Sequence, residues 1–260
     1  MNIPNVFQNI HYIHFECLDS TNDWVKKNIH VLDPNKLTCI TASEQTAGRG
    51  RFSRKWLSPK GQNVYASLFF CIPPQNKFIP NLGQILSLAC VHILKDKGFA
   101  PQIKWPNDIL VSGKKVAGIL GEAISLKDSL GIILGIGINV DTPDQILEKI
   151  DQPAASLSSL SNHFWTFEEI LRPLVEKFAE YLETLQKEGF SVFHPEYESV
   201  LAFKGQHIHC MDGNRRVNGI CHSIDIEGRL KILIRDAAGK EDPLEISQMI
   251  TVQSGQISES

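Results

Sequence analysis

The sequence has no long apolar run. Its longest, Gly131 to Val140, falls far short of the roughly 18 residues that a membrane-spanning helix needs, so no helical anchor and no membrane partner are expected. The N-terminal stretch MNIPNVFQNIHYIHF has no basic segment leading into an apolar core, and it does not read as a secretory signal. Cysteine chemistry is also scarce. The 6 cysteines, at positions 17, 39, 71, 90, 210 and 221, form no CxxC pair and no Cys/His cluster at zinc spacing. Four of them lie in apolar runs and read as buried thiols. Nor is there a basic excess. With a formal net charge of -3 the chain lacks the basic excess usual in proteins that bind nucleic acid over a large face, so sequence-specific DNA binding is not expected and any anion site must be local. Together these absences imply a reduced, cytoplasmic protein.

What is present is a core-forming chain. Of 260 residues, 42% are hydrophobic and 21% charged, an ordinary balance at a length that suits one large domain and a small one. Strand-like and helix-like stretches alternate. His11 to Leu18 reads as a strand. Thr21 to about His30 reads as a short helix, with Ser20, Thr21 and Asn22 all suited to its N-cap. Leu37 to Ala42 and Asn63 to Ile72 are rich in β-branched and aromatic residues and read as strands. The polar stretch of about 20 residues between them is long enough to carry function. Asn81 to Lys97 has a helical apolar face, and Lys115 to Ile124 and Leu130 to Val140 have strand character. Thr166 and Glu169 make a capping box ahead of apolar residues at helical spacing through Leu185. Pro173 inside that pattern predicts a kink or a later start. A short helical stretch follows Pro195. From Phe203 the texture changes to four short strand-like runs, His207 to Met211, Arg215 to Ile224, Arg229 to Ile234 and Pro243 to Val252, punctuated by Gly213, Gly228 and Gly239. The reading is α/β (α+β): a large domain over residues 1–202 and a small β-barrel over residues 203–260.

Three segments carry chemistry. The first is Gln45-Thr46-Ala47-Gly48-Arg49-Gly50-Arg51-Phe52-Ser53-Arg54-Lys55-Trp56. Its glycines allow the backbone to approach a ligand, and its arginines suit phosphate or carboxylate. It is neither a Walker A loop nor a dinucleotide fingerprint, because Gly-Lys-Ser/Thr does not follow and Ser53 stands where the third glycine belongs. A solvated, flexible loop of RNA-binding type has the same composition. The second is Lys104-Trp105-Pro106-Asn107-Asp108 with Lys114-Lys115-Val116-Ala117-Gly118-Ile119-Leu120. Pro106 and Asn107 mark a turn. Lys115, at the edge of an apolar strand, either snorkels to water or points its charge into an anion site. The third is Gly135-Ile136-Gly137-Ile138-Asn139-Val140, where two glycines in a strand imply a bulge, tight packing or a close ligand.

Ser20-Thr21-Asn22 and these three segments, in this order, resemble the biotin protein ligase family over about Phe15 to Val140, and the rest of the chain is similar in layout. The resemblance implies a mixed-sheet catalytic domain with seven strands and packed helices, and an SH3-like C-terminal barrel. It implies that Ser20, Thr21 and Asn22 hydrogen-bond the biotin ureido ring and that Gln45 is a further biotin contact. Gly48, Arg49, Gly50 and Arg51 would close over the adenylate. Lys115 would touch both the biotin carboxylate and the α-phosphate, with Gly118 a point of close approach to biotin. Arg54, Trp56, Asn107 and Asn139 would belong to the nucleotide pocket. Arg51 and Lys115 are the residues expected to serve catalysis. Many members have Gly where Ser53 stands, which implies a slightly stiffer loop here. Two-function members carry an N-terminal helix-turn-helix domain, for which Met1 to Asp19 is too short, so no repressor function is expected.

The implied reaction forms biotinyl-5′-AMP from biotin and ATP, then transfers biotin to a specific lysine of a biotin carboxyl carrier protein or carrier domain. Neither step needs a protein nucleophile. Both need anions held together, and Arg49, Arg51, Arg54, Lys104, Lys114 and Lys115 supply local cations. Mg²⁺ is expected on the ATP phosphates rather than in a protein metal site. Two alternatives stay open: a lipoate or octanoate ligase or transferase on the same fold, and a non-catalytic nucleic-acid-binding protein. Family members are often dimers, and a homodimer also stays open.

Overall fold

The computed structural model describes residues 10–61, 63–213, 215–234 and 248–259. Strand β1 (His11–Phe15) leads to helix α1 (Thr21–Asn28), whose N-cap is Ser20. Strands β2 (Thr38–Ala42) and β3 (Val64–Ile72) flank the glycine-containing loop. Helix α2 (Leu82–Asp96) is followed by four strands: β4 (Pro101–Lys104), β5 (Asp108–Val111), β6 (Lys114–Ser125) and β7 (Leu130–Ile138). These seven strands form one sheet in the order β1-β2-β3-β7-β6-β5-β4. Only β1 and β2 run parallel; the remaining pairs are antiparallel. The mixed seven-stranded sheet is therefore as expected, with boundaries moved by a few residues; β1, for example, ends at Phe15 and not at Leu18.

Two short helices, α3 (Asp144–Leu147) and α4 (Leu157–Ser161), precede the long α5 (Phe167–Glu188). The capping box of Thr166 and Glu169 starts α5 at Phe167. Pro173 therefore does not delay the start; at the seventh position its missing N–H removes a single rung toward Glu169. After α6 (His194–Ser199) come β8 (His207–Asp212), β9 (Arg215–Ile224), β10 (Leu230–Ile234), β11 (Gln248–Val252) and β12 (Gln256–Glu259). Their order is β11-β10-β9-β8-β12. The expected strand over Pro243–Val252 is seen from Gln248; its first five residues and Gly239 lie outside the described residues, as do residues 1–9. No pair between β11 and β12 occurs among the described residues, so the small unit is there an open antiparallel sheet and not a closed barrel.

Alternation along the central strands sorts the two faces. Even-numbered residues of β3 and β7, such as Leu68, Phe70, Leu134 and Ile136, pack with α2 and α5 in the main core. Odd-numbered Phe69 and Ile133 join Val25 of α1 in a second, smaller core. The rest of that odd face is left for a cleft. The C-terminal sheet is docked through its β9–β10 turn: the Gly228 carbonyl accepts from Gln84 Nε2 (2.6 Å) and from Trp105 Nε1 (3.0 Å). Gly228 has φ +82, and a Cβ there would lie 2.2 Å from Gln84 Oε1. Side chains of the C-terminal unit, Ile208 and Val217 among them, are continuous with the main core.

Candidate functional site

The cleft on the odd face has a volume of about 1100 Å³ including its open part, large enough for more than one small ligand. Glycine spacing clears its floor. Gly137 of β7 pairs with Gly118 of β6, and Gly135 is the next residue on the same face. The Trp56 indole lies over this floor: a Cβ on Gly137 would stand 2.3 Å from it, and one on Gly118 3.1 Å. A Cβ on Gly135 would stand 2.5 Å from Asn22 Oδ1. The glycine pair in the third segment is thus a matter of close approach, and the approaching groups are Asn22 and Trp56. Trp56 Nε1 is buried and makes no hydrogen bond, a donor that a ligand acceptor would satisfy.

Lys115 reaches this floor through a β-bulge. The β5–β6 register shifts between Ile109 and Leu110, whose partners are Ala117 and Lys115. Val116 and Ala117 both enter the main core, so Lys115 comes to share a face with Gly118, three residues on. Its ammonium lies 2.8 Å from Asp108 Oδ1, with only 15% of the side chain exposed, and 5.3 Å from the centre of the Trp56 ring. The snorkelling alternative is therefore overturned: the ammonium is held by a carboxylate inside the cleft. Backbone bonds from Lys115 N to Pro153 O and from Ala155 N to Lys115 O clamp it to segment 153–155.

At the other end a polar chain runs through the Ser-Thr-Asn turn. Gln45 Oε1 accepts from Thr21 N (2.9 Å) and Thr21 Oγ1 (3.2 Å), while Gln45 Nε2 donates to Ser58 Oγ (2.9 Å). The hydroxyl of the buried Ser67 lies within hydrogen-bonding distance of both Thr21 Oγ1 (2.7 Å) and Asn22 Oδ1 (2.5 Å). Ser20 caps α1, accepting from Asp23 N. These groups give a rigid set of donors and acceptors suited to a small amide-like ring.

The arginine loop divides its cations. Arg49 Nη2 bonds Asp23 Oδ1 (2.7 Å) and Glu122 Oε2 (3.0 Å). Arg51 Nη1 bonds only neutral acceptors, Asn107 Oδ1 (2.9 Å) and the Gly255 carbonyl (3.0 Å). Burial lowers the Arg51 pKa while the nearby Asp108 charge opposes that shift, and an arginine stays charged at neutral pH, so this is a half-buried cation whose direct hydrogen-bond partners among the described residues are neutral. The loop tip is bent tightly: Phe52 and Ser53 both have positive φ, 54 and 59. Arg54 is exposed and its side chain makes no bond among the described residues.

All the residues given a binding or catalytic role from the sequence line this cleft except Gly48. Gly48 is buried behind the wall, where a Cβ would lie 2.5 Å from the Trp56 carbonyl; it lets the loop fold upon itself. Lys104 and Lys114, counted among the local cations, are not on the cleft wall. A Cβ on Gly50 would make only ordinary contacts, with Arg54. Asn107 also donates to Ile119 O (2.9 Å), and Asn139 to Ala155 O (3.3 Å). Sequence reasoning assigned no role to Asp108, Ser67, Glu122, the wall residues Ile150, Gln152 and Ala154, or Gln256 of the C-terminal strand. Asp108 had a signal, since it stands beside Asn107 in a motif already chosen. Ser67 had none.

The chain is similar to known proteins over most of its length. The model of the biotin/lipoate A/B protein ligase family matches residues 14–139. The bifunctional ligase/repressor BirA of Bacillus subtilis is 33% identical over 228 residues, covering 85% of this chain and 68% of that protein. The biotin–[acetyl-CoA-carboxylase] ligase of Paracoccus denitrificans is 32% identical over 211 residues, covering 78% and 85%. Among solved structures, the biotin protein ligase from Aquifex aeolicus in complex with biotin and ATP superposes with a TM-score of 0.76 at 27% identity, covering 95% of this chain and 97% of that one.

Proposed function

The chain belongs to the biotin protein ligases, within the biotin/lipoate A/B protein ligase family, and from that premise we propose that it joins biotin to ATP as biotinyl-5′-AMP and transfers biotin to a lysine of a biotin carboxyl carrier protein. The observation that carries the reading is one cleft with a polar, ring-sized end at Thr21 and Gln45 and a cationic end at Lys115 and Arg51. The described residues include Gly255 and Gln256 at the cleft, which supports a site shared by a catalytic domain over 1–202 and a smaller domain over 203–260.

In the first step the biotin carboxylate attacks the α-phosphorus and pyrophosphate leaves. Two unit negative charges 4 Å apart repel by about 4 kcal/mol at an effective dielectric constant near 20, so the step needs cations between them. Lys115 would bridge carboxylate and α-phosphate, and Arg51 would exchange its two neutral acceptors for phosphate oxygens, a stronger charge-assisted bond. In the second step the neutral amine of the carrier lysine attacks the biotinyl carbonyl and AMP leaves. Asp108, beside Lys115, is the carboxylate at hand to take the amine proton. Trp56, Asn107 and Asn139 support the nucleotide, and Ser20, Thr21, Asn22 and Gln45 the biotin ring. Mg²⁺ would ride on the ATP phosphates. Among the described residues no group of three His, Cys, Asp or Glu could hold a metal, and the one carboxylate on the cleft wall, Asp108, is bound to Lys115. The cytoplasm, where ATP is plentiful, is the proposed compartment.

Biotin-dependent ATP–pyrophosphate exchange tests the reading. Exchange should require Mg²⁺ and biotin, and lipoate should compete poorly. Equal exchange without biotin would overturn the reaction, and preference for lipoate would move the chain to the lipoate branch of the family.

A further inference from the structure

Glu122 looks in the sequence like an unremarkable strand residue. In β6 it lies beyond Gly118, the last residue paired with β5. Its side chain shares a half-buried face with Leu120 and Ile124, while Gly121, Ala123 and Ser125 are exposed. Ile124 packs with α1, so Glu122 stands between the sheet and that helix. A half-buried carboxylate is costly unless its oxygens are fully used. Here they are. Lys26 Nζ donates at 2.6 Å, Asn22 Nδ2 at 2.9 Å and Arg49 Nη2 at 3.0 and 3.2 Å. Burial pushes the Glu122 pKa up, but these three donors win and hold it below the ordinary 4.5.

Three consequences follow for the cleft. A carboxylate only accepts, so Glu122 fixes the Asn22 amide with its nitrogen toward β6 and its oxygen toward Ser67, over Gly135. Arg49 lies between Glu122 and Asp23 and has its charge neutralised, in contrast to Arg51. Arg49 also lines the cleft with a buried Nε–H that has no acceptor, a donor kept in place by bonds at the other end of the guanidinium. Glu122 is thus where three separate pieces meet: the α1 turn, the arginine loop and β6.

We propose that Glu122 is a positioning residue for the biotin end of the site, acting through Arg49 and Asn22 to tie the arginine loop to α1 before the ligand arrives. The identity of the ligand rests on the ligase reading; the tether does not. Glu122→Gln keeps the size and removes the charge. Two measurements decide. In biotin-dependent exchange, the variant should raise the biotin KM about tenfold, the worth of one charge-assisted bond on a partly exposed site, while the ATP KM and the rate at saturating biotin stay within about threefold. In an Arg49→Met background the same substitution should raise the biotin KM by less than about threefold, because the two residues act as a unit. Independently, trypsin should cut the unliganded variant after Arg49, Arg51, Arg54 or Lys55 several-fold faster than the wild type at a melting temperature within about 2 °C. Unchanged cleavage of the loop overturns the tether, whatever the protein's reaction. Unchanged biotin KM, or a fall in the saturated rate alone, overturns the role at the biotin end while wild-type exchange leaves the ligase reading standing. Wild-type exchange that ignores biotin sinks the ligase reading, and the proteolysis result then judges the tether alone.

Discussion

Lys114 and Lys115 are neighbours in the chain with opposite fates. Lys114 is exposed, and Lys115 is turned inward by one extra residue in the ladder and held 2.8 Å from Asp108. Lys115→Ala should cost roughly ten- to a hundredfold in adenylate formation, the worth of a charge-assisted bond of about 1.5–3 kcal/mol. The variant should remain folded; wild-type turnover with a normal melting curve would contradict the role. Arg51 has a different task, because its present partners are a side-chain amide and a carbonyl that any phosphate would displace. Arg51→Gly removes the fork and adds backbone freedom at the loop tip, and affinity is tuned mainly through dissociation. The adenylate should still form but escape. Serum albumin mixed with the variant, biotin and MgATP should then become biotinylated above the wild-type background, whereas labelling confined to the true carrier would mean that Arg51 is not the clamp. At this scale much was legible: the polar types, the loop and both catalytic candidates stand out in the sequence. Ser67 and Glu122 did not, because a serine or glutamate in a strand looks the same whether it faces water or orients a neighbour.

At the scale of elements, β7 shows what alternation can reveal. Gly135 and Gly137 are two apart, so both clear the same face, and a reader of the sequence sees a strand with a bare side. What covers that side depends on a loop some 80 residues earlier, and no local pattern gives it. Gly137→Ala places a methyl group 2.3 Å from the Trp56 ring and must push the indole off the floor. Exchange should fall by at least tenfold, the sort of loss a displaced site residue brings, and the double variant with Trp56→Ala should be no worse than Trp56→Ala alone. Strictly additive losses would show that the two do not share the floor. The bulge at Val116 was invisible for a related reason: register belongs to the pair of strands and not to either one. Helices α3 and α4, with 4 and 5 residues, are too short for a periodic signal, yet the chain between them supplies the wall at Ile150, Gln152 and Ala154.

For the whole molecule, composition set limits well and long-range assembly poorly. The net charge of -3 leaves the cationic groups of the cleft as local features. This 260-residue chain should give no DNA band shift that survives unlabelled nonspecific competitor at physiological salt; one that survives would mean that a basic surface was misread. The change of texture at Phe203 was readable as the approach to a second sheet, which begins at His207. That this unit returns to the cleft, with Gly255 O on Arg51 and Gln256 on the wall, was not, because 204 residues separate the partners of that bond. Whether the chain is one catalyst is decided by a single incubation with biotin, MgATP and a biotin carboxyl carrier domain, read by intact mass. The carrier should gain one biotinyl group, the gain should disappear when its acceptor lysine is replaced, and AMP and pyrophosphate should accumulate in step. A carrier whose mass does not change, under conditions where the protein is folded, would contradict the ligase reading.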